Sequence, residues 1–395
     1  MTEVADGFDR TRAALVAGIE EGWFTRGAQV SIRRSGEELL AWAGGDAGNG
    51  TPMTEDTVCR VYCTIKPVTA VAVARQVDAG TLDLDEPLAD RMPGVAAVAD
   101  GRVALRHILT HTAGLQRPMA IEVELQAPAE RERTAMTRNR APGFRVGTHA
   151  AYSEWLGWHL LGRLLESVTG EPLGQHLRSA VIEPLGLHDT WIGMTVEEHT
   201  ANLHRIGVNV DLRRHAPYPL LMERGVRMCT EVNPAHGGYT TAGDLTRFYA
   251  ALLDRLAGAD LPALPSTDVL ADFTSTARLA TFDQVLDREC EYGLGFMTGL
   301  EGHAFGRWPS PGSFGHSGNV GTSFAFADPD ADLAVSVLFN GIVDHESAFL
   351  RRRALVRAVY ADIEDLDAPE DLDAPEEEPA TAEAPRRGWL RRRSG

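Results

Sequence analysis

A cysteine and a lysine three positions apart are the residues of this sequence best suited to covalent chemistry. Cys63 and Lys66 stand at the start of a run that predicts a helix ending near Ala79. At a helix start, positions i and i+3 lie on one face, so the thiol and the ammonium can meet. The helix N-terminus and a nearby cation both favour a thiolate, which is the nucleophilic form of cysteine. On this short and common pattern alone, a small buried cysteine beside a structural lysine is the favoured interpretation, and only the surrounding sequence can favour a nucleophile.

The elements that must position this pair can be predicted from the hydrophobic pattern. Residues 8–23 predict an amphipathic helix, and the short runs 28–33 and 38–43 flank a Ser-Gly turn that is typical of a hairpin. A second hairpin is predicted over 322–339, followed by a closing helix over 347–361. The two ends of the chain can therefore build one antiparallel sheet covered by terminal helices.

The middle of the chain is predicted to be helical. A leucine stripe from Leu156 to Val168 stops before Gly170, and a further apolar stripe covers 242–256. We therefore expect an α/β (α+β) fold in which a helical lobe, roughly residues 80–240, is inserted into a domain spanning 1–361. A cleft between lobe and sheet is a natural ligand site.

The C-terminal residues differ in composition from the rest. Residues 362–383 contain 11 acidic and no basic residues, and five arginines follow between Arg386 and Arg393. Such a segment cannot bury enough apolar surface to offset its ordering entropy, so 362–395 is predicted to be a disordered acidic tail with a basic end.

The overall composition limits the partners and the location. A formal net charge of −18 argues against nucleic acid or an anionic membrane as the main partner. The sequence has no apolar stretch long enough for a membrane span and an acidic start unlike a secretory signal, so a cytoplasmic protein is expected. The four cysteines should then be reduced thiols, and their spacing suggests neither a metal site nor another cofactor.

Several segments in order resemble one known family. Residues 58–70 (VCRVYCTIKPVTA) are similar to the nucleophile segment of the serine β-lactamase and penicillin-binding-protein family, in its class C β-lactamase, esterase and DD-peptidase branch. Further similar segments lie at 105–115, 151–154, 237–245, 292–296 and 314–321, so the resemblance covers about 10–360. It implies a β-lactamase/transpeptidase-like fold with the active site in the cleft. Cys63 occupies the position of the family's nucleophilic serine.

The resemblance also implies roles for residues outside the nucleophile segment. Tyr152 matches the family's catalytic tyrosine, a general base or acid whose pKa Lys66 is expected to lower. Glu154 replaces the usual asparagine two positions on, and its carboxylate is expected to pair with Lys66 and raise the lysine pKa. The two histidines of segment 105–115 are expected to have structural roles.

The segment around Gly318 resembles the family's third catalytic element. His316, Ser317 and Gly318 match its His-x-Gly form, in which the histidine lines the site and the glycine lets substrate approach the strand. Asn319 matches the position whose backbone N–H forms the oxyanion hole together with that of Cys63.

Three other interpretations of the sequence stand beside that of a cysteine enzyme of this family. An α/β-hydrolase is disfavoured because the segment 315–319 lacks the second glycine of G-x-S-x-G. A catalytically inactive binding protein would tolerate the changes at Cys63 and Glu154, whereas the retention of Lys66, Tyr152 and the glycines favours an enzyme. A cysteine introduced to trap an intermediate is also consistent with the sequence.

The expected activity is therefore acyl transfer through an acyl-enzyme on Cys63, with Lys66 and Tyr152 as acid and base. A hydrolase of the esterase, thioesterase or amidase type is the first expectation. An acyltransferase that moves an acyl group from a thioester to an amine or alcohol is the second. The expected partner is a small-molecule acyl substrate, including the acyl thioester of a carrier protein or coenzyme A, because a thiolate exchanges readily with thioesters.

Overall fold

The computed structural model describes residues 7–22, 25–92, 102–115 and 143–367. The strands are β1 Gly27–Arg34, β2 Glu37–Gly45, β3 Cys59–Arg60, β4 Trp191–Ile192, β5 Val210–Asp211, β6 Tyr218–Pro219, β7 Gly238–Thr240, β8 Arg278–Asp283, β9 Arg288–Tyr292, β10 Met297–Thr298, β11 Phe314–Ser317, β12 Ser323–Asp328, β13 Leu333–Phe339 and β14 Gly341–Ile342. The α-helices are α1 Asp9–Glu20, α2 Lys66–Asp78, α3 Leu88–Arg91, α4 Leu105–Leu109, α5 Leu156–Thr169, α6 Leu173–Leu177, α7 Val196–Asn202, α8 Val226–Thr230, α9 Ala242–Leu256, α10 Thr267–Thr274 and α11 His345–Asp367.

The two ends of the chain form one antiparallel sheet, as the sequence predicts. Its strand order is β2-β1-β13-β12-β11-β10-β9-β8, so the first strand pairs directly with one of the last. The predicted hairpins are β1–β2 and β12–β13. In the first, Ser35 and Gly36 have φ values of 51° and 79°, the left-handed pair that a tight two-residue hairpin turn requires.

Helices cover both faces of this sheet because its central strands are apolar on both sides. Along β12, Phe324 and Phe326 join the core that also contains residues of α1 and α11. The alternate residues Ala325 and Ala327 face the other core, which contains α9 and the helical middle of the chain. The small alanines let α9 pack closely, and the hydroxyl of its Thr246 is bonded to that of Ser336 on β13.

The helical lobe carries α2 and α5, and both follow their predicted ranges closely. Helix α5 ends at Thr169, and Gly170 caps it in the left-handed conformation at φ 72°. Helix α2 begins at Lys66, after a 3₁₀ turn over Tyr62–Ile65, rather than at Cys63 or Thr64. The nucleophile position therefore lies in a turn between the lobe and the sheet.

The last helix is longer than predicted. Helix α11 runs to Asp367, so the predicted start of the tail at 362 lies inside this helix and is wrong. Asp362 is buried because it accepts hydrogen bonds from the backbone N–H and the hydroxyl of Thr11, at 2.8 and 2.7 Å. The remainder of the predicted tail, 368–395, lies outside the described residues. Of the helices the structure describes, none has an apolar stretch long enough to span a bilayer.

Candidate active site

The turn that contains Cys63 has an unusual backbone. Tyr62, directly before the cysteine, has φ 50°, a left-handed backbone conformation that residues other than glycine seldom adopt. The backbone N–H of Thr64 donates to the carbonyl of Val61 at 3.3 Å and closes the turn. Cys63 itself is half-buried and packs against the core cluster that contains Tyr152.

Two neighbouring strands hold this turn in place. The Ser323 hydroxyl, at the start of β12, donates to the carbonyl of Val61 and is bonded to the Thr64 hydroxyl, both at 2.7 Å. On the other side, the Val61 N–H donates to the carbonyl of Gly238 on β7 at 3.0 Å. A Cβ on Gly238 would come within 2.3 Å of Ile65, so glycine permits this close approach.

Lys66, three positions after Cys63, is fully buried. Its ammonium donates to the backbone carbonyls of Ala235 at 2.7 Å and Glu154 at 3.1 Å, and it lies 5.2 Å from the centre of the Tyr152 ring. Burial lowers the pKa of Lys66, and the charges of Cys63 and Glu154 oppose this change. The deprotonated amine, which can act as a base, is therefore more accessible than in an exposed lysine.

Glu154 departs in part from its expected role. The contact that the structure shows between Glu154 and Lys66 is made by the glutamate's backbone carbonyl. The charge of Glu154 raises the pKa of Lys66, as expected, but burial of the lysine outweighs it. The expected direction of the Glu154 effect is therefore confirmed, while the lysine pKa as a whole is lowered because burial is the larger cause.

Tyr152 is the second buried group beside the thiol. Its backbone N–H donates to the carboxylate of Asp283 at 2.9 Å, and its ring lies 4.4 Å from that of His111. Burial, with the charge of Cys63 as the next cause, raises the pKa of Tyr152 well above the usual range. The expected lowering by Lys66 is thus wrong, and Tyr152 is a neutral phenol that can donate a proton or a hydrogen bond.

The two histidines of the 105–115 segment have the structural roles that the sequence predicts. His107 Nδ1 accepts from the backbone N–H of Ala104, and His111 Nδ1 accepts from that of Ser153, both at 3.0 Å. Burial lowers the pKa of His111 well below its usual range, so the ring is neutral. His111 therefore holds the start of α5 against the aromatic wall of the site.

His316 lies on β11 and faces the same space. Its ring centre is 6.4 Å from that of Tyr152, and its Nδ1 is 3.1 Å from the carbonyl of Ser317. Burial lowers the pKa of His316 well below its usual range, so the imidazole is neutral. Because a carbonyl only accepts, Nδ1 carries the proton and Nε2 presents a buried lone pair.

The end of β11 approaches the turn that contains Cys63, Tyr62–Ile65, which we name the nucleophile turn after its proposed role. The approach is so close that only glycine fits. A Cβ on Gly318 would come within 2.3 Å of the Ser323 hydroxyl and 2.6 Å of the Val61 carbonyl. Ser317 is half-buried with its hydroxyl 3.8 Å from the sulfur of Met297, and the exposed Asn319 begins the next 3₁₀ turn. Of the residues predicted from the sequence, Cys63, Lys66, Tyr152 and His316 are close to one another, from the 3₁₀ turn, α2, the segment before α5 and β11.

Two buried carboxylates that support the site are not evident from the sequence. Asp283 holds the backbone of Tyr152 and pairs with Arg278 at 3.3 Å. Glu223 accepts from the hydroxyl of Tyr62 and from the backbone N–H of Asn209 at 2.8 Å. Neither lies in a recognisable motif, and each is more than a hundred positions from the residue it supports. Among the described residues, no group of three or more His, Cys, Asp or Glu side chains is placed to hold a metal ion.

Taken as chemistry, the site places one thiol between two groups with opposite acid–base properties. Burial shifts Lys66 towards its neutral, proton-accepting form and keeps Tyr152 in its neutral, proton-donating form. Both interact with the Cys63 thiol through charge and hydrogen bonding. Such a set can activate a nucleophile and protonate a leaving group.

Comparison with known proteins agrees with this geometry. The family model described as Beta-lactamase matches residues 15–360. The chain is 25% identical over 348 residues to the esterase/beta-lactamase LipL of Mycobacterium tuberculosis, covering 80% of this chain and 77% of LipL. It is 28% identical over 161 residues to the monacolin J acid methylbutanoyltransferase of Aspergillus terreus, covering 35% of this chain and 38% of that enzyme.

Solved structures show the same fold. A penicillin-binding protein homologue from Caulobacter crescentus superposes with a TM-score of 0.75 at 27% sequence identity, covering 92% of this chain and 99% of that one. The antiparallel sheet, the helical lobe and the site between them are thus a known architecture. The chain belongs to the beta-lactamase family, and it is a hydrolase or an acyltransferase.

Proposed function

We propose that the chain is an acyl hydrolase that forms an acyl-enzyme on Cys63. The observation that carries this proposal is the half-buried thiol beside Lys66 and Tyr152, two buried groups with opposite acid–base properties. Esterases and thioesterases need both a nucleophile and a proton donor within reach of one carbonyl carbon. This combination favours catalysis over simple ligand binding.

Acylation begins with transfer of the thiol proton to Lys66. Because burial lowers the pKa of Lys66, its amine can take this proton, and the ammonium and thiolate that result stabilise each other. The thiolate attacks the acyl carbon of an ester or thioester and forms the Cys63 S–C bond. The bond between the acyl carbon and the leaving oxygen or sulfur then breaks, and Tyr152 or Lys66 supplies the proton that this group takes.

The negative charge that develops on the acyl oxygen is stabilised by backbone donors. The N–H groups of Cys63 and Asn319 form the oxyanion hole in this proposal, because the close approach of Gly318 to Val61 brings the two segments together. His316, Ser317 and Glu154 contact the substrate. With its pKa lowered by burial, His316 provides a neutral acceptor rather than a cation for the substrate.

The acyl group then leaves Cys63 by attack of water, which restores the thiol and releases a carboxylic acid. An amine or alcohol in place of water would make the chain an acyltransferase. Similarity to the methylbutanoyltransferase favours this second outcome, and a thiol nucleophile suits both because its acyl-enzyme is a thioester.

The test is the intact mass of the protein after brief exposure to butyryl esters and butyryl-pantetheine. We expect one butyryl increment on the native chain and none on Cys63→Ala. Cys59→Ala is the matched control, because Cys59 is buried and burial raises its thiol pKa to about 12. An increment that persists in Cys63→Ala, or is lost only in Cys59→Ala, would refute the scheme.

A further inference from the structure

Four large apolar side chains are exposed within one short stretch, residues 211–230, which we name the rim segment. They are Tyr218, Leu221, Met222 and Val226, with 51%, 61%, 41% and 46% of their surface exposed. The described residues include twelve such exposed large apolar side chains, so a third of them lie in these twenty positions. Scattered apolar residues are normal on a surface, whereas a cluster indicates a binding surface.

The cluster extends beyond the rim segment. Arg224 donates to the backbone carbonyl of Leu203 at 2.6 Å, and its own carbonyl is 2.8 Å from Nε2 of His199 on α7. These bonds join the rim segment to a neighbour that exposes Val196 and Leu203 by 57% and 39%. Six of the twelve exposed large apolar side chains therefore lie in the rim segment and the segment bonded to it.

A buried carboxylate connects the rim segment to the nucleophile turn. Glu223 is 1% exposed although Leu221 and Met222 beside it face solvent. It accepts a hydrogen bond from the hydroxyl of Tyr62, and it also accepts from the N–H and the side-chain amide of Asn209, at 2.8 and 3.0 Å. Tyr62 directly precedes Cys63, so one hydrogen bond joins the rim segment to the residue next to the thiol.

The charge of the rim segment is opposite to that of the chain. It contains four arginines, at positions 213, 214, 224 and 227, against Asp211 and Glu223, which gives 4 − 2 = +2 where the whole chain carries −18. Arg213 and Arg214 pair with Asp211 and remain 50% and 59% exposed. A local positive field on an acidic protein attracts an anionic partner to that place.

We propose that the rim segment docks an acidic carrier protein that presents an acyl thioester to Cys63. This inference rests on the proposed function, because it assigns the donor for the same acyl-enzyme. Exposed apolar side chains interspersed with arginines fit a protein surface with acidic and apolar residues, and the segment is hydrogen-bonded to the residue before Cys63. In the transfer, the Cys63 S–C bond forms as the carrier S–C bond breaks, and the carrier thiolate takes the proton from Lys66 or Tyr152.

The experiment compares acylation of the full chain by butyryl-loaded acidic carrier proteins with acylation by butyryl-pantetheine, which has the thioester arm alone. We expect at least one carrier to acylate Cys63 tenfold faster or more, with a rate that falls steeply as salt increases. Arg213→Glu/Arg214→Glu and, separately, Leu221→Ser/Met222→Ser should each lower the ratio of the two rate constants at least tenfold. Arg353→Glu/Arg357→Glu, at exposed positions of α11, makes the same charge change elsewhere and should leave the ratio unchanged.

The outcomes separate the two proposals. Failure of both butyryl-pantetheine and the carriers to acylate the chain would refute the proposed function itself. Acylation by butyryl-pantetheine with no faster carrier, or with a ratio that the rim variants preserve, would overturn the docking surface alone. Butyryl-coenzyme A is assayed as a further donor. If it acylates the chain faster than every carrier and the arginine variants remove this preference, the docking surface is also overturned, because the arginines would then bind nucleotide phosphates.

Discussion

At the scale of single residues, burial determines which proton each group of the site holds. Lys66 and Tyr152 lie beside the same thiol, and burial changes their pKa values in opposite directions because it disfavours the charged form of each. The amine becomes easier to deprotonate and the phenol harder. The pair therefore combines an amine that gives up its proton more readily than usual with a phenol that keeps its own.

This arrangement predicts that the rate of Cys63 acylation depends on pH through the titration of Lys66. Its pKa lies below the usual 10.5, so the fraction of neutral amine, and with it the rate of Cys63 acylation, should rise with pH through that lowered value. In Lys66→Arg the guanidinium stays protonated, and we expect acylation by butyryl-pantetheine to be at least a hundredfold slower and nearly independent of pH from 6 to 9. A variant that keeps the native pH profile would show that another group is the base.

The candidate residues of the site could be picked out from the sequence because they lie in short local patterns, and their catalytic roles stay predictions. The groups that surround these residues could not be predicted, because the hydrogen-bond acceptors and the supporting carboxylates come from distant positions in the sequence. The Lys66 ammonium donates to the carbonyl of Ala235, 169 positions away. The lowering of the Tyr152 pKa was predicted from the nearby lysine alone, and it is wrong because the burial of the phenol cannot be known before the fold is.

At the scale of elements, the nucleophile turn depends on two close approaches. The end of β11 comes so near Val61 that a methyl group on Gly318 would overlap the Ser323 hydroxyl at 2.3 Å. The 3₁₀ turn and the strand must separate to accept it, which would also separate the two N–H groups of the proposed oxyanion hole.

Gly318→Ala should therefore lower the rate of Cys63 acylation by a hundredfold or more, since removing one oxyanion donor has effects of that order. Gly312→Ala is the matched control, because no atom lies within 4 Å of a Cβ built at Gly312. Acylation kinetics of the two variants give the comparison. Equal rates in both would mean that the spacing between β11 and the turn does not matter for the reaction.

The second close approach is the bond between the hydroxyl of Tyr62 and Glu223. It holds the tyrosine in its left-handed conformation, so its loss should let the turn relax and move Cys63. We expect Tyr62→Phe and Glu223→Gln each to slow acylation by butyryl-pantetheine five- to fiftyfold. A double-mutant cycle should give a coupling of about 1 kcal/mol in the free energy of unfolding.

Tyr218→Phe provides the control for this cycle, because Tyr218 is an exposed tyrosine of the same rim segment. If the effects of Tyr62→Phe and Glu223→Gln on the free energy of unfolding and on the acylation rate are additive, the hydrogen bond between Tyr62 and Glu223 does not position the turn. The sequence predicts a helix starting at Cys63 or Thr64, whereas α2 begins at Lys66 after the 3₁₀ turn that contains Cys63.

At the scale of the whole molecule, several histidines are buried in the neutral form and make stability depend on pH. His303 is 3% exposed, its Nε2 bonds to the carbonyl of Glu291 at 2.8 Å, and burial lowers its pKa to about 3. Below the unfolded value of about 6.5, the unfolded chain binds a proton that the folded chain does not. Stability is therefore lost as the pH falls from about 6.5 towards 3.

The expected size of this effect for His303 alone is about 2 kcal/mol between pH 6.5 and pH 5. Urea unfolding at pH 7.5 and pH 5.0 should thus show a smaller pH-dependent loss in His303→Gln than in the native chain, by about that amount. His345→Gln, at the exposed start of α11, should behave like the native chain. If His303→Gln loses as much stability as the native chain on acidification, the histidine is not held neutral.

The general architecture could be predicted from the sequence, since each hairpin and long helix has its own local pattern. The extent of α11 could not, because Asp362 and Ile363 belong to an acidic stretch whose composition resembles a tail. The burial of Asp362 depends on its partner Thr11, at the opposite end of the chain.

The pairing of β1 with β13 has a consequence for how the protein is made. The register joins Ala28 to Phe339, so the first strand leaves the ribosome about three hundred residues before its neighbour. At about 5–20 residues per second, it waits roughly 15–60 s with an unpaired apolar edge. The turn that contains Cys63 waits as well, because Ser323 is synthesised 259 residues after its partner Thr64. A chain released early would thus carry Cys63 and Lys66 without a site, and nascent chains should depend on chaperones that cover exposed strands.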